Sequence, residues 1–189
     1  MKKGISEILS FVLIALLVIS LIALILSWGI PYLQKRQDEM KVNLIYQTLF
    51  NDLSDSSVQS TLRRLLIARG GSEKVGGFDG SWNVSIDSIT FSFSSRVSPV
   101  SPGNWVTIYG CLKNICDFPK EPFYVVEVFS QKVQDIYRVS YRIRLKSITI
   151  EGDTFSLVFS QPFYSNSKYI FLSFERIDYT NKIISFRAS

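Results

Sequence analysis

The sequence predicts an α+β protein: a long N-terminal membrane-spanning α-helix followed by an antiparallel β-sandwich head, with an immunoglobulin-like topology as one form the head could take. Three observations predict it. Residues 8–33 contain no charged side chain. Apolar residues then recur at helical spacing to about residue 66. From Trp82 onward the apolar period shortens to two, the period of a half-buried strand.

The apolar run is long enough to cross a bilayer. About twenty residues at ~1.5 Å rise cover the roughly 30 Å hydrocarbon core. Lys2 and Lys3 ahead of it favour a cytoplasmic N-terminus and an extracellular head. A cleaved secretory signal would have a shorter apolar stretch and a small-x-small site, and Leu24-Ile25-Leu26-Ser27-Trp28 offers none.

Gly29 and Pro31 predict a kink or short break, because proline removes a backbone donor and crowds the preceding turn. Beyond the polar stretch 34–39, Met40, Leu44, Ile45, Leu49, Phe50 and Leu53 repeat at helical spacing, so residues 34–69 read as an amphipathic extension. Ser54-Asp55-Ser56-Ser57 supplies break and N-cap chemistry. A second amphipathic piece follows over 58–69, with Leu62, Leu65 and Leu66 on one face and Gly70-Gly71 ending it. Five glycines between 70 and 80 read as a linker over 70–81.

In the head, residues 82–189, candidate strands are 82–86, 89–93, 105–109, 123–129, 135–146, 147–150, 155–159, 169–174 and 183–186, giving seven to nine strands in the folded head. Glu151-Gly152-Asp153 and Thr180-Asn181-Lys182 read as hairpin turns. The clearest alternation sets Tyr137, Val139, Tyr141, Ile143 and Leu145 against Arg138, Ser140, Arg142, Arg144 and Lys146. At Ser147 the parity switches, as at a bulge or where a strand changes sheets. Phe91, Phe93, Phe155, Phe159 and Phe174 fall at strand periodicity and read as core.

Cys111 and Cys116 are separated by four residues, and in an exported domain they read as a local disulfide. Two thiols and no histidine argue against a metal site. Asn83-Val84-Ser85 is a glycosylation sequon in the same domain. With no histidine, nucleophile elbow or phosphate loop, neither an enzyme nor a cofactor is expected. The net charge of +5 falls to +3 without Lys2 and Lys3 (19 basic against 16 acidic side chains), too small an excess to argue for nucleic acid. The stripe Arg138, Arg142, Arg144 and Lys146 would attract phosphate, but it reads first as a solvated strand face with Glu127, Asp135 and Glu151 near enough to pair.

The placement of Gly4 is the unusual element. Lys2-Lys3-Gly4 precedes the apolar segment, so a cut between Gly4 and Ile5 leaves the hydrophobic helix on the mature chain. This arrangement resembles the class III (prepilin) signal of type IV pilins, and Lys-Gly-Ile-Ser at 3–6 is most similar to the archaeal version. The resemblance covers residues 1–33. It implies a leader at 1–4, a transmembrane and filament-core helix at 5–33, and processing by a prepilin peptidase. It also implies partnership with other pilin subunits through the helix, with an assembly ATPase and platform protein, and with membrane lipid before assembly.

Glu7 is the third residue after the implied cut, whereas bacterial pilins usually carry a glutamate at the fifth. It either pairs with a neighbour's free N-terminal amine in an apolar core, as a buried charge requires, or sits in the headgroup zone. The implied function is a structural one: a pilin or minor pilin of an archaeal type IV pilus-like surface filament. The alternatives are a single-pass anchored β-sandwich binding module and an archaellum stator-like component.

Overall fold

The computed structural model describes the backbone of residues 2–189 and the side chains of residues 9–189. The chain divides into two units, one ending at Met40 and the other spanning Lys41–Ser189.

Helix α1, Lys2–Ile45, runs without interruption through Gly29 and Pro31. The break expected there is absent. Proline costs one backbone donor, but a helix that propagates for many residues on either side tolerates the loss, as apolar spans commonly do. The interruption comes later. A π-helical turn, Tyr46–Phe50, leads into an extended Asn51 and a tight turn. Helix α2, Val58–Ala68, then starts at Ser57, whose hydroxyl accepts from the Ser60 N–H at 3.1 Å. The left-handed residue that closes α2 is Arg69 (φ 50°), one position before the glycine pair.

The head holds twelve strands: β1 Ser72–Gly76, β2 Ser81–Val84, β3 Ser88–Ser95, β4 Val106–Gly110, β5 Ile115–Asp117, β6 Tyr124–Val133, β7 Ile136–Leu145, β8 Ser147–Ile150, β9 Asp153–Phe159, β10 Phe163–Ser165, β11 Tyr169–Asp178 and β12 Ile183–Ala188. They form two six-stranded sheets, ordered β1-β11-β12-β9-β8-β5 and β10-β2-β3-β7-β6-β4. Pairing is antiparallel except for β12 with β9 and β5 with β8. Six strands per sheet and two parallel pairs depart from the seven-stranded immunoglobulin pattern.

The segment read as a glycine linker contains β1. It pairs with β11 from Ser72↔Ser173 to Gly76↔Tyr169, so the head begins ten residues earlier than the periodicity suggests. Gly76 is required there: at φ 131°, a Cβ would lie 2.2 Å from the Lys168 carbonyl. The parity switch at Ser147 marks a crossing between sheets, since β7 and β8 lie in different ones. Glu151 and Gly152, both at positive φ, make the β8–β9 turn.

The inner faces meet in one core. Trp82, Phe91, Val126, Val139, Tyr141 and Ile143 come from one sheet, and Phe155, Phe159, Ile170, Leu172, Ile184 and Phe186 from the other. Ile45, Leu49, Phe50, Val58, Leu62 and Leu65 belong to the same cluster, so this part of the amphipathic extension is built into the head, whereas Met40, Leu44 and Leu53 of its expected apolar face are exposed. Phe50 stacks on Tyr141 with centroids 5.1 Å apart.

Candidate functional site

Two surfaces carry the sequence-predicted function: the apolar stretch of α1, and the outside of the head.

In α1 the large apolar side chains from Leu9 to Leu33 are exposed around the whole helix, from Val18 at 46% to Trp28 at 77%. None is buried inside the chain. Among the described residues this is the one helix long and apolar enough to cross a membrane. Two of its hydroxyls bond on their own helix: that of Ser20 donates to the Leu16 carbonyl at 2.8 Å, and that of Ser27 to the Leu24 carbonyl at 2.9 Å. A hydroxyl bonded this way presents no unmet donor to an apolar surrounding.

The apolar run ends in an ordered aromatic step. The Trp28 and Tyr32 rings stack at 6.1 Å, and the Arg36 guanidinium lies 5.5 Å from the Tyr32 centroid while its Nε donates to the Tyr32 hydroxyl at 3.2 Å. Arg36 also pairs with Glu39 at 3.0 Å. Amphipathic rings followed by a cation mark the level where membrane helices meet water. The spacing of Trp28, Tyr32 and Arg36, four residues apart each time, carried this signal, and the sequence reading passed over it.

The processing residues Lys2, Lys3, Gly4 and Ile5, and Glu7 with them, lie outside the residues whose side chains are described.

In the head, buried polar groups fix the turn between the π-helix and α2. The Gln59 side chain, wholly buried, donates from Nε2 to the Phe50 carbonyl at 2.8 Å. The Ser60 hydroxyl donates to the Asp52 carbonyl at 3.1 Å. The Tyr124 hydroxyl donates to the Asp52 carboxylate, and burial, reinforced by that carboxylate, pushes the Tyr124 phenol far above its usual range. Arg64 of α2 holds Glu73 of β1 through Nε at 3.1 Å, and this hydrogen bond keeps the Glu73 carboxyl below the usual carboxylate range.

The basic stripe on β7 is partly neutralised. Glu127 on β6, 5% exposed, sits between Arg142 and Arg144 and accepts from each at 2.7 Å. The Arg142 guanidinium also stacks 3.9 Å from the centroid of Trp105, which rests on Phe129. Glu127 faces Arg142 in the β6–β7 register, so the pairing is a consequence of the sheet. Asp135 and Glu151 form no ion pair with the stripe.

Cys111 and Cys116 form the predicted disulfide, with Cα atoms 6.3 Å apart. Asn83 is exposed on β2, opposite Thr90 on one side and Tyr164 on the other. A cavity of about 290 Å³ in the head is lined by Leu66, Ile150, Phe155, Ile177 and Ile184. Asp153 at its rim is held by Lys182 at 2.7 Å. Among the described residues, no three of Cys, Asp and Glu stand close enough to hold a metal ion.

Comparison of the chain with protein-family models, with curated proteins and with solved structures gives no match.

Proposed function

We propose that the chain is a structural subunit, a pilin or minor pilin, of an archaeal type IV pilus-like surface filament, cut between Gly4 and Ile5 and assembled through its apolar helix. One observation carries the reading: the helix offers a continuous apolar surface that nothing in its own chain covers, directly behind the Lys2-Lys3-Gly4 leader. Such a surface needs lipid or other helices. Exchanging lipid contact for helix contact changes the hydrophobic term little, so packing decides and an external motor must drive extraction. The head would then decorate the filament, with Asn83 placed to carry a glycan. The reading assigns the chain no reaction and no cofactor.

A second reading has its own support. The Trp28-Tyr32-Arg36 step suits a helix that stays in the membrane, which would make the protein an anchored β-sandwich binding module or a stator-like component.

Mass spectrometry of the N-terminus separates the two. The filament reading expects a chain starting at Ile5 in sheared surface material, and loss of that material in a Gly4→Val variant. A chain that keeps Lys2 and Lys3 and occurs in membranes alone would leave the anchored module.

A further inference from the structure

The cavity of about 290 Å³ in the head has two kinds of wall. Leu66, Phe155 and Ile184 are buried and give it an apolar lining. Arg69, Glu151, Asp153 and Tyr179 line it too and are exposed, so solvent reaches it. An apolar cavity of roughly 150 Å³ holds benzene, so this one has room for an aromatic ring or a branched aliphatic chain together with a polar end. An apolar pocket with a few converging polar groups is the usual form of a small-molecule site.

The polar groups are placed at a conformational cost. Among the described residues four non-glycines have positive φ, and three belong to this cavity: Arg69 at 50°, Glu151 at 53° and Lys182 at 55°. Arg69 and Glu151 line it. Lys182 bonds Asp153 of the wall at 2.7 Å and lies 5.4 Å from the centroid of Phe155. Arg69 closes α2, Glu151 stands in the β8–β9 turn and Lys182 in the β11–β12 turn. Glycine or asparagine adopts such positions with less strain. Here all three carry long charged side chains, and strained residues of this kind gather where a ligand is held.

The charges select the ligand. Lys182 neutralises Asp153. Arg69 and Glu151 are left over, since among the described residues neither enters an ion pair. An unpaired cation and an unpaired carboxylate on the walls of one small cavity suit a ligand that carries both charges. The planar guanidinium of Arg69 matches a carboxylate. The Glu151 carboxylate accepts from an ammonium group. The apolar lining between them suits an apolar body on the same molecule.

We propose that this cavity binds a free α-amino acid with an aromatic or large aliphatic side chain. The side chain packs on Leu66, Phe155 and Ile184, the α-carboxylate meets Arg69 and the α-ammonium meets Glu151. A residue at either end of a peptide keeps only one of these two charges, so the pair of partners favours the free amino acid over a peptide segment. The site is independent of whether the apolar helix enters a filament or stays in lipid.

The test titrates L-phenylalanine and L-leucine into the purified full-length protein in detergent and follows binding by isothermal calorimetry. Both are expected to bind. Phenylpropionate lacks the ammonium, phenethylamine lacks the carboxylate and glycine lacks the apolar body, so each should bind at least about tenfold more weakly than L-phenylalanine. Arg69→Gln and Glu151→Gln alter exposed side chains and should leave the melting temperature of the head unmoved, while each weakens L-phenylalanine by about tenfold. The ligand series needs no variant, so a folding defect in either one does not blunt the test. No heat of binding from either amino acid at millimolar concentration, equal affinity for the singly charged analogues, or unchanged affinity in both variants would overturn the proposal.

Discussion

The apolar stretch of α1 and the head use the same kinds of residue in opposite ways. In the head, Trp82, Phe91, Phe159 and Phe186 are wholly buried by other parts of the chain. In α1, Leu17, Ile22 and Leu24 are as apolar, and more than half of each is exposed. Polar groups divide likewise. In the head they bond across elements, as Gln59 does to Phe50 and Glu127 to Arg142. In the apolar stretch Ser20 and Ser27 bond within one helical turn. The head therefore completes itself, whereas the helix is complete only in a surrounding the chain does not supply.

Variants can break this division from either side. The largest effect is expected from Phe91→Ala, which removes a buried ring in contact with Trp82 and should cost the head ~3–5 kcal/mol. Thermal unfolding followed by circular dichroism reads the loss, and membrane integration should be unchanged. Leu17→Arg is the converse: a charge at mid-span should oppose insertion by ~2.5–3.5 kcal/mol, seen as a fall in the carbonate-resistant membrane fraction, with the melting temperature of the head unmoved. Ser57→Ala deletes the α2 cap and should lower head stability by ~1 kcal/mol in denaturant titration.

The smallest effect is a pH dependence. The folded pKa of Glu73 lies below its unfolded value because Arg64 hydrogen-bonds the carboxylate. Its contribution is therefore present above the unfolded pKa and is lost as pH falls through the folded one. The pair is partly exposed, so the slope is shallow. Arg64→Gln should flatten it in acid titrations of unfolding.

How far the sequence discloses the molecule follows the same division. The apolar run, a cap within 54–57, the β7 alternation and the disulfide are local signals and are present, except that Ser140, read on the solvated face of β7, is buried. Strands β5 and β10 were missed because three residues carry no periodicity and exist through pairing alone. Strand β1 was missed because Ser-Glu-Lys-Val-Gly has one apolar residue, Val75, and its glycines mimic a linker. At Pro31 the helix does not break, because the local cost of proline is small beside the cooperativity of a long helix. Of the candidate site, Glu127 was one of three acidic residues read as able to pair with the stripe, and only the β6–β7 register, which brings it opposite Arg142, singles it out from Asp135 and Glu151. The exposure of Asn83 followed from strand parity once β2 was placed.

The most direct test of the central claim asks what covers the helix. The described residues hold no free cysteine, so a cysteine placed in turn at each position from Val12 to Leu26 is a unique thiol. Oxidation of sheared surface material should then yield covalent subunit pairs at positions that repeat with helical period, while the same variants in membranes stay monomeric. A helix that never cross-links, in a protein absent from the sheared fraction, would contradict the account.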